Sequence, residues 1–408
     1  MKPISGKLKV DSRKIVIFGA GKIGRSFIGQ LFGCAGYRVV FIDVDQSLID
    51  GLNRKGCYRV VIEGEKEEEI VVTNVHAISA LDKGKVIEAV STAGILAISV
   101  GKNALEKIIP VIAKGLLQRE KNSPGTPLDT ILAENMRSAA DFVREQLMKN
   151  LPSRFPVETL VGLVETSIGK MVPIIPLTEL EKDPLVVFAE PYNTLIVDRK
   201  GFKSPVPQVK GLAPKDNIKA WVDRKAFIHN LGHATAAYFG HFIHPELNYL
   251  YEVLDDPEVY KFTKEVMLQS SSVLQTLYPA DYSIADLEEH INDLLFRFQN
   301  KALKDTIFRV GQDRPRKLGP DDRFVGIIRL AQKLVKPYDK ILKAMAYAFF
   351  FRATDENENP SLQDVLFDNY FVNGVEYTLR KACGFDPEKD NQLIRQFKDY
   401  FDDIANNQ

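Results

Sequence analysis

Residues 14–18 (Lys-Ile-Val-Ile-Phe) hold a short apolar run of the β-branched kind, which reads as a buried strand. Gly19-Ala20-Gly21-Lys22-Ile23-Gly24 follows at once, and residues 25–35 then have helical character. Gly36 ends that helix, and residues 38–42 (Arg-Val-Val-Phe-Ile) read as a second strand closing at Asp43. The charge run at 65–69 lies between two strand-like stretches and reads as a solvated hairpin or loop. Apolar runs recur at 86–100, broken by Ser-Thr-Ala-Gly, and residues 103–118 carry a helical pattern. A loop at 122–127 precedes a strand at 131–133.

Residues 151–203 are rich in β-branched residues and prolines, with strand candidates at 161–164 and 185–188. Ser204-Pro205-Val206-Pro207 then marks a candidate domain boundary. From residue 217 onward the pattern is mostly helical, with breaks at Pro245, Pro279, Pro315 and Pro360. The apolar stretch 344–351 is too short to span a bilayer and reads as a buried helix core. A chain of 408 residues exceeds one ordinary core. The expectation is an α/β protein with an N-terminal Rossmann-type domain over 1–205, followed by a mostly α-helical domain over 206–408.

The opening pattern is strand, glycine turn, helix, strand, acid, the size of one βαβ unit. In that context G-x-G-x-x-G has a mechanism. Gly19 permits the tight turn, Gly21 lets backbone approach a pyrophosphate, and Gly24 lets the helix pack close to the sheet. Ala20, Lys22 and Ile23 fill the same turn, and the helix N-terminus offers free N–H groups to the phosphates. Asp43 is placed to accept from a ribose hydroxyl pair and would repel a 2′-phosphate, while Val44 and Asp45 supply no compensating Arg. The spacing therefore predicts NAD in preference to NADP.

A second stretch carries candidate chemistry. Residues 223–234 contain Lys225, Asn230 and His233. On an α-helix Asn230 sits roughly 140° and His233 roughly 80° round from Lys225, so all three share one broad face. By itself this is more often a helix with a solvated Lys and a satisfied His. Asn135, at the carboxyl end of the 131–133 strand, is either a site residue or a cap for the helix that follows. Arg309, Arg314, Arg316, Lys317 and Arg323 crowd together with Asp313, Asp321 and Asp322. That cluster is either a self-neutralising loop or a pocket for a phosphate or carboxylate.

Composition narrows the partners. Lys plus Arg and Asp plus Glu are 54 each, a balance that argues against nucleic acid or a membrane surface as partner. Three separated cysteines, without Cys-x-x-Cys or Cys/His spacing, suggest neither a disulfide frame nor a structural zinc site. The polar first residues lack a signal-peptide core, so the expectation is a cytoplasmic protein.

The chain resembles the polyol-specific long-chain dehydrogenase family. The resemblance rests on Phe18 to Arg25 with Phe27-Ile28-Gly29, on Asp43, and on Glu134-Asn135-Met136. It continues through Arg224-Lys225 with Asn230-Leu231-Gly232-His233-Ala234, where Lys, four residues, Asn, two residues, His fits the family signature. It ends in Arg309-Val310-Gly311 and Arg316-Lys317-Leu318. The length suits the sugar-phosphate members better than the longer free-polyol and hexonate enzymes. The resemblance implies a Rossmann-type domain, a helical domain, a polyol phosphate substrate between them, NAD as cofactor and no need for a metal. It implies Lys225 as general acid/base, Asn135 and Asn230 as stabilisers of the alkoxide, and His233 as a substrate ligand. Arg309 and Lys317 match positions near the substrate, with Arg316 beside them. Where many members carry Asp-Arg before an apolar-Pro pair, this chain has Gly169-Lys170, a departure that bears on which polyol is taken.

The chemistry sets a further expectation. A free Lys, with a pKa of about 10.4, is too basic to act as a base near neutrality. Burial beside a positively charged nicotinamide would lower it. The competing reading is a non-catalytic NAD or sugar-phosphate sensor, which would have no use for a proton acceptor. A monomer or small homo-oligomer is expected.

Overall fold

The computed structural model describes residues 9–64, 67–134, 136, 138–173 and 175–407. The chain forms two compact units, one ending at Ile218 and one beginning at Lys219. The Pro-rich stretch at 204–207 lies inside the first unit.

Among the described residues, eleven strands build the first unit. They are β1 (Asp11–Phe18), β2 (Arg38–Asp43), β3 (Cys57–Glu63), β4 (Glu67–Thr73), β5 (Val75–Ser79) and β6 (Ala93–Ile98). β7 (Leu128–Leu132), β8 (Val161–Ser167), β9 (Val187–Ala189), β10 (Leu195–Asp198) and β11 (Leu212–Lys215) follow. Eight of them form one sheet in the order β11-β10-β8-β7-β6-β1-β2-β5. From β8 to β5 every pairing is parallel; β10 joins β8 antiparallel, and β11 pairs parallel with β10 at the edge. Along β1, Ile15 and Ile17 join one apolar cluster while Val16 and Phe18 join another. Alternate side chains are thus buried on both faces, as a parallel sheet covered by helices requires. This explains why residues 14–18 look continuously apolar rather than alternating.

The chain runs outward from β1 through β2 to β5, then returns to place β6 on the other side of β1. The order therefore reverses between β1 and β6, and the carboxyl ends of those strands flank a crevice of the kind that takes ligands in open α/β sheets. The expected hairpin is present as β3 and β4, paired antiparallel from Cys57↔Thr73 to Glu63↔Glu67; Glu65 and Lys66 of the charge run lie outside the described residues. With β9 this hairpin makes a separate three-stranded sheet.

The second unit is helical, with its longest helices at Pro257–Leu277, Asn391–Asn406, Ile284–Phe298 and Leu231–Ile243. Local signals set their ends. Asp256 caps the first of these with Pro257 in its opening turn, and Ser283 with Asp286 forms a capping box for the third. Close approach is permitted by Gly232, where a Cβ would collide with the Met267 side chain. Pro245, Pro279 and Pro360 lie just outside helix ends, as expected. Pro315 differs: it stands in the first turn of Arg314–Lys317, where a missing N–H costs nothing, so it starts a helix rather than ending one. No helix among the described residues is long and apolar enough to cross a membrane.

Candidate active site

The dinucleotide half begins where β1 ends. Gly19 has φ +92°, and a Cβ there would overlap the Ser99 carbonyl that follows β6. Only glycine meets both demands. A Cβ at Gly24 would overlap the Gly19 carbonyl, so the helix starts hard against the turn. At Gly21, by contrast, a Cβ would meet nothing within 4 Å. That open face of backbone suits a pyrophosphate pressed against the turn.

The helix expected at 25–35 is a π-helix over Gly24–Gly29 that passes into an α-helix over Gln30–Cys34. The wider turn is held by β3, whose Tyr58 hydroxyl donates to the Arg25 carbonyl at 2.7 Å. The Arg25 side chain is buried and donates to the carbonyls of Ala20 (2.7 Å) and Leu185 (2.5 Å). Asp43 closes the turn from the other side. Its Oδ2 accepts from Ala20 N at 2.6 Å and its Oδ1 from Val44 N and Asp45 N. A carboxylate has roughly four acceptor sites, so one remains for a ribose hydroxyl. Lys22 reaches the Pro173 carbonyl at 3.5 Å, and Ile23 is half-buried ahead of the π-turn.

Asn135 lies outside the described residues. Its neighbour Glu134 is buried, accepts from Val100 N and Gly101 N, and is pushed up in pKa by burial. Lys170, from the Gly-Lys pair that departs from the family, is also buried. Its ammonium donates to Asn193 Oδ1 (2.8 Å) and Gln30 Oε1 (3.2 Å) and lies 5.0 Å from the Phe27 ring centroid. It thus braces the helix that leaves the glycine turn.

In the second unit, Lys225–Asn230 is again a π-helix, continuing without a break into the α-helix Leu231–Ile243. A π-turn bonds residue i to i+5. Lys225 and Asn230 stand at its two ends, so Asn230 comes back beneath Lys225 and the 140° separation of an α-helix is lost. Two carbonyls of the wider turn receive donors from other elements. Ser270 Oγ donates to the Phe227 carbonyl at 2.5 Å, and Arg323 to the Asn230 carbonyl at 3.3 Å.

The same Arg323 bears on Lys225. Burial first, and then the Arg323 guanidinium, pull the Lys225 ammonium down to about 8. This is the shift that a base near neutrality needs, and a cation of its own unit contributes to it. His233 is held well below its ordinary pKa by burial and then by Arg309, Lys317, Arg323 and Arg297, so it is neutral at pH 7. Its ring stacks on Phe298 with centroids 4.6 Å apart.

The cation cluster divides. Arg314 is fully buried, and its guanidinium binds Asp364 and Asp368, so it is structural. Arg323 sits against Asn230. Arg309, Arg316 and Lys317 line one cavity of about 560 Å³ together with Gln312 and Ser361. Asp313 and Asp355 line it too. Each cation is anchored: Arg309 by Asp305, Arg316 by Asp313 at 2.5 Å, and Lys317 by the carbonyls of Val310 and Gln312. Burial, with Arg323 and Arg316 nearby, brings the Lys317 ammonium down to about 7. Of the residues the sequence did not single out, Ser270, Phe298 and Asp305 support this site. Only Asp305 carried a local signal, its i, i+4 spacing from Arg309.

A family model for the mannitol dehydrogenase Rossmann domain matches residues 13–211, and one for the mannitol dehydrogenase C-terminal domain matches residues 217–407. The chain belongs to the mannitol dehydrogenase family. Two solved structures share the fold. A D-sorbitol dehydrogenase in substrate-free form is 16% identical, with TM-score 0.77 over 96% of this chain and 92% of that one. A Pseudomonas fluorescens mannitol 2-dehydrogenase, solved as a ternary complex with NAD and D-mannitol, is 13% identical, with TM-score 0.74 over 97% of this chain and 92% of that one. Within this mannitol dehydrogenase fold, the glycine turn belongs to the Rossmann domain and the Lys225 π-turn to the C-terminal domain.

Proposed function

We propose that this chain is an NAD-dependent polyol dehydrogenase that interconverts a polyol phosphate and its ketose phosphate, with mannitol 1-phosphate and fructose 6-phosphate as the pair. Membership of the mannitol dehydrogenase family supports the reaction class. The observation that carries the phosphate is the cavity lined by Arg309, Arg316 and Lys317, on the same unit as Lys225.

Oxidation of a secondary alcohol removes a proton from oxygen and a hydride from carbon. NAD, when bound, supplies the hydride acceptor. Gly19, Gly21, Gly24 and Asp43 are the residues that would hold it, with Ala20, Lys22 and Ile23 in the same turn. Lys225, in its neutral form, takes the hydroxyl proton. The amides of Asn230 and Asn135 donate to the oxygen as it gains charge, without titrating. Neutral His233 hydrogen-bonds a substrate hydroxyl. Arg309, Arg316 and Lys317 grip the phosphate.

The test is NADH formation with mannitol 1-phosphate, mannitol and altronate. A kcat/KM for mannitol 1-phosphate at least about tenfold above the others is expected, about the worth of one charge-assisted contact. A preference for altronate would move the reading to a hexonate enzyme. The two carboxylates in the cavity lessen its positive charge and favour, as second reading, a free polyol as substrate. No NADH with any polyol would point to a sensor.

A further inference from the structure

His233 has its plane fixed by stacking on Phe298, but a stacked ring still turns within its own plane. What sets that angle lies at the ring's edge. Nε2 of His233 is 3.3 Å from Oδ2 of Asp305. Both atoms are buried, and neither reaches hydrogen-bond geometry with a partner among the described residues. Buried polar atoms are nearly always satisfied, so two orphans facing each other call for an explanation. The other oxygen of the same carboxylate binds the Arg309 guanidinium.

The Asp305 backbone is firmly seated. Its carbonyl accepts from Leu250 N at 2.9 Å, and the flanking Ile307 N donates to the Asn248 carbonyl at 2.8 Å. Its side chain is 5% exposed. The carboxylate is therefore a fixed post between two groups that the proposed function assigns to the substrate.

We propose that Asp305 is the positioning residue for both. Its Oδ2 requires the proton of neutral His233 on Nε2, which leaves Nδ1 as a lone pair that accepts from a substrate hydroxyl. Its Oδ1 sets the direction of the Arg309 fork. The misaligned Nε2···Oδ2 contact closes into a hydrogen bond when substrate loads Nδ1, as catalytic contacts commonly tighten on binding. This inference rests on the reading of His233 and Arg309 as substrate ligands.

Asp305→Ala and Asp305→Asn test it in the full chain, alongside the wild type. Three readouts are needed: KM for the polyol phosphate against KM for NAD, melting temperature, and the His233 tautomer from ¹⁵N-histidine NMR. The wild type should show Nε2–H. Asp305→Ala should raise KM for the polyol phosphate about tenfold or more, leave KM for NAD within about twofold, and mix the tautomers. Asp305→Asn, whose amide oxygen still accepts from Nε2–H, should keep the tautomer and lose only the Arg309 anchor, so its KM should rise less.

A wild-type Nδ1–H tautomer, or an unchanged tautomer and polyol KM in Asp305→Ala, overturns the inference. An equal rise in both KM values would show a merely structural role and overturns it too. If Asp305→Ala does not fold, Asp305→Asn decides: a KM equal to wild type or a changed tautomer refutes the assignment. A wild type that oxidises no polyol sinks the proposed function, while the NMR arm still judges Asp305.

Discussion

Lys225 and Asn230 open and close a single π-turn, which brings an amine and an amide, the proposed proton acceptor and alkoxide donor, to one face of a helix. Ser270 and Arg323 donate to two carbonyls of the turn. Strain or irregularity of this kind is kept where surrounding structure over-determines it.

Removal of the amine should remove the chemistry and little else. Lys225→Ala is expected to lower kcat by a factor of about 10² or more while NAD binding is retained. Steady-state kinetics with a fluorescence titration of NADH check this, and near-normal turnover would exclude Lys225 from the role.

The depressed Lys225 pKa gives a signed pH dependence. Polyol oxidation needs the neutral amine, so kcat/KM should rise with pH and level off above about 8. Ketose reduction needs the ammonium and should fall through the same range. Arg323→Gln removes a cation that lowers this pKa, so the midpoint should move upward. A profile unmoved by that variant would show that Arg323 does not tune the amine.

The glycines of the turn should separate folding from binding. Gly24→Ala places a methyl against the Gly19 carbonyl and should cost about 1–3 kcal/mol of stability. Gly21→Ala meets nothing in the protein, so its melting temperature should match wild type while NAD binding weakens. Thermal melts and cofactor titrations of both variants report the contrast. Tight NAD binding by Gly21→Ala would remove that backbone face from the pyrophosphate site.

Asp43 pins Ala20 N with its carboxylate and is proposed to take the ribose hydroxyls as well. Asp43→Ala should therefore weaken NAD and narrow its advantage over NADP together. The ratio of kcat/KM for the two cofactors measures this; a weakened but unchanged ratio would leave Asp43 only the loop.

Much of this was readable from residue order. The βαβ opening was legible because a buried parallel strand, a glycine turn and an acid leave a dense local signal, and the Lys-Asn-His spacing was legible as a motif. The π-turns were not. A π-turn of six residues is too short to set a period of its own in the apolar pattern, and the donors that stabilise the wider turn, Tyr58 and Ser270, come from other elements. Arg314 looked like its neighbours in the cation cluster, yet its partners Asp364 and Asp368 lie on a later helix and make it structural. The Asp305–Arg309 pair shows in the spacing, whereas the contact with His233 exists only after folding.

Tyr58 belongs to the small three-stranded sheet, yet its hydroxyl holds the carbonyl of Arg25 in the turn where nucleotide phosphates would rest. Amide protons of that ribbon and of residues 24–29 should exchange with deuterium as one cooperative block. Tyr58→Phe would then loosen that turn and be felt as a faster off-rate for the cofactor.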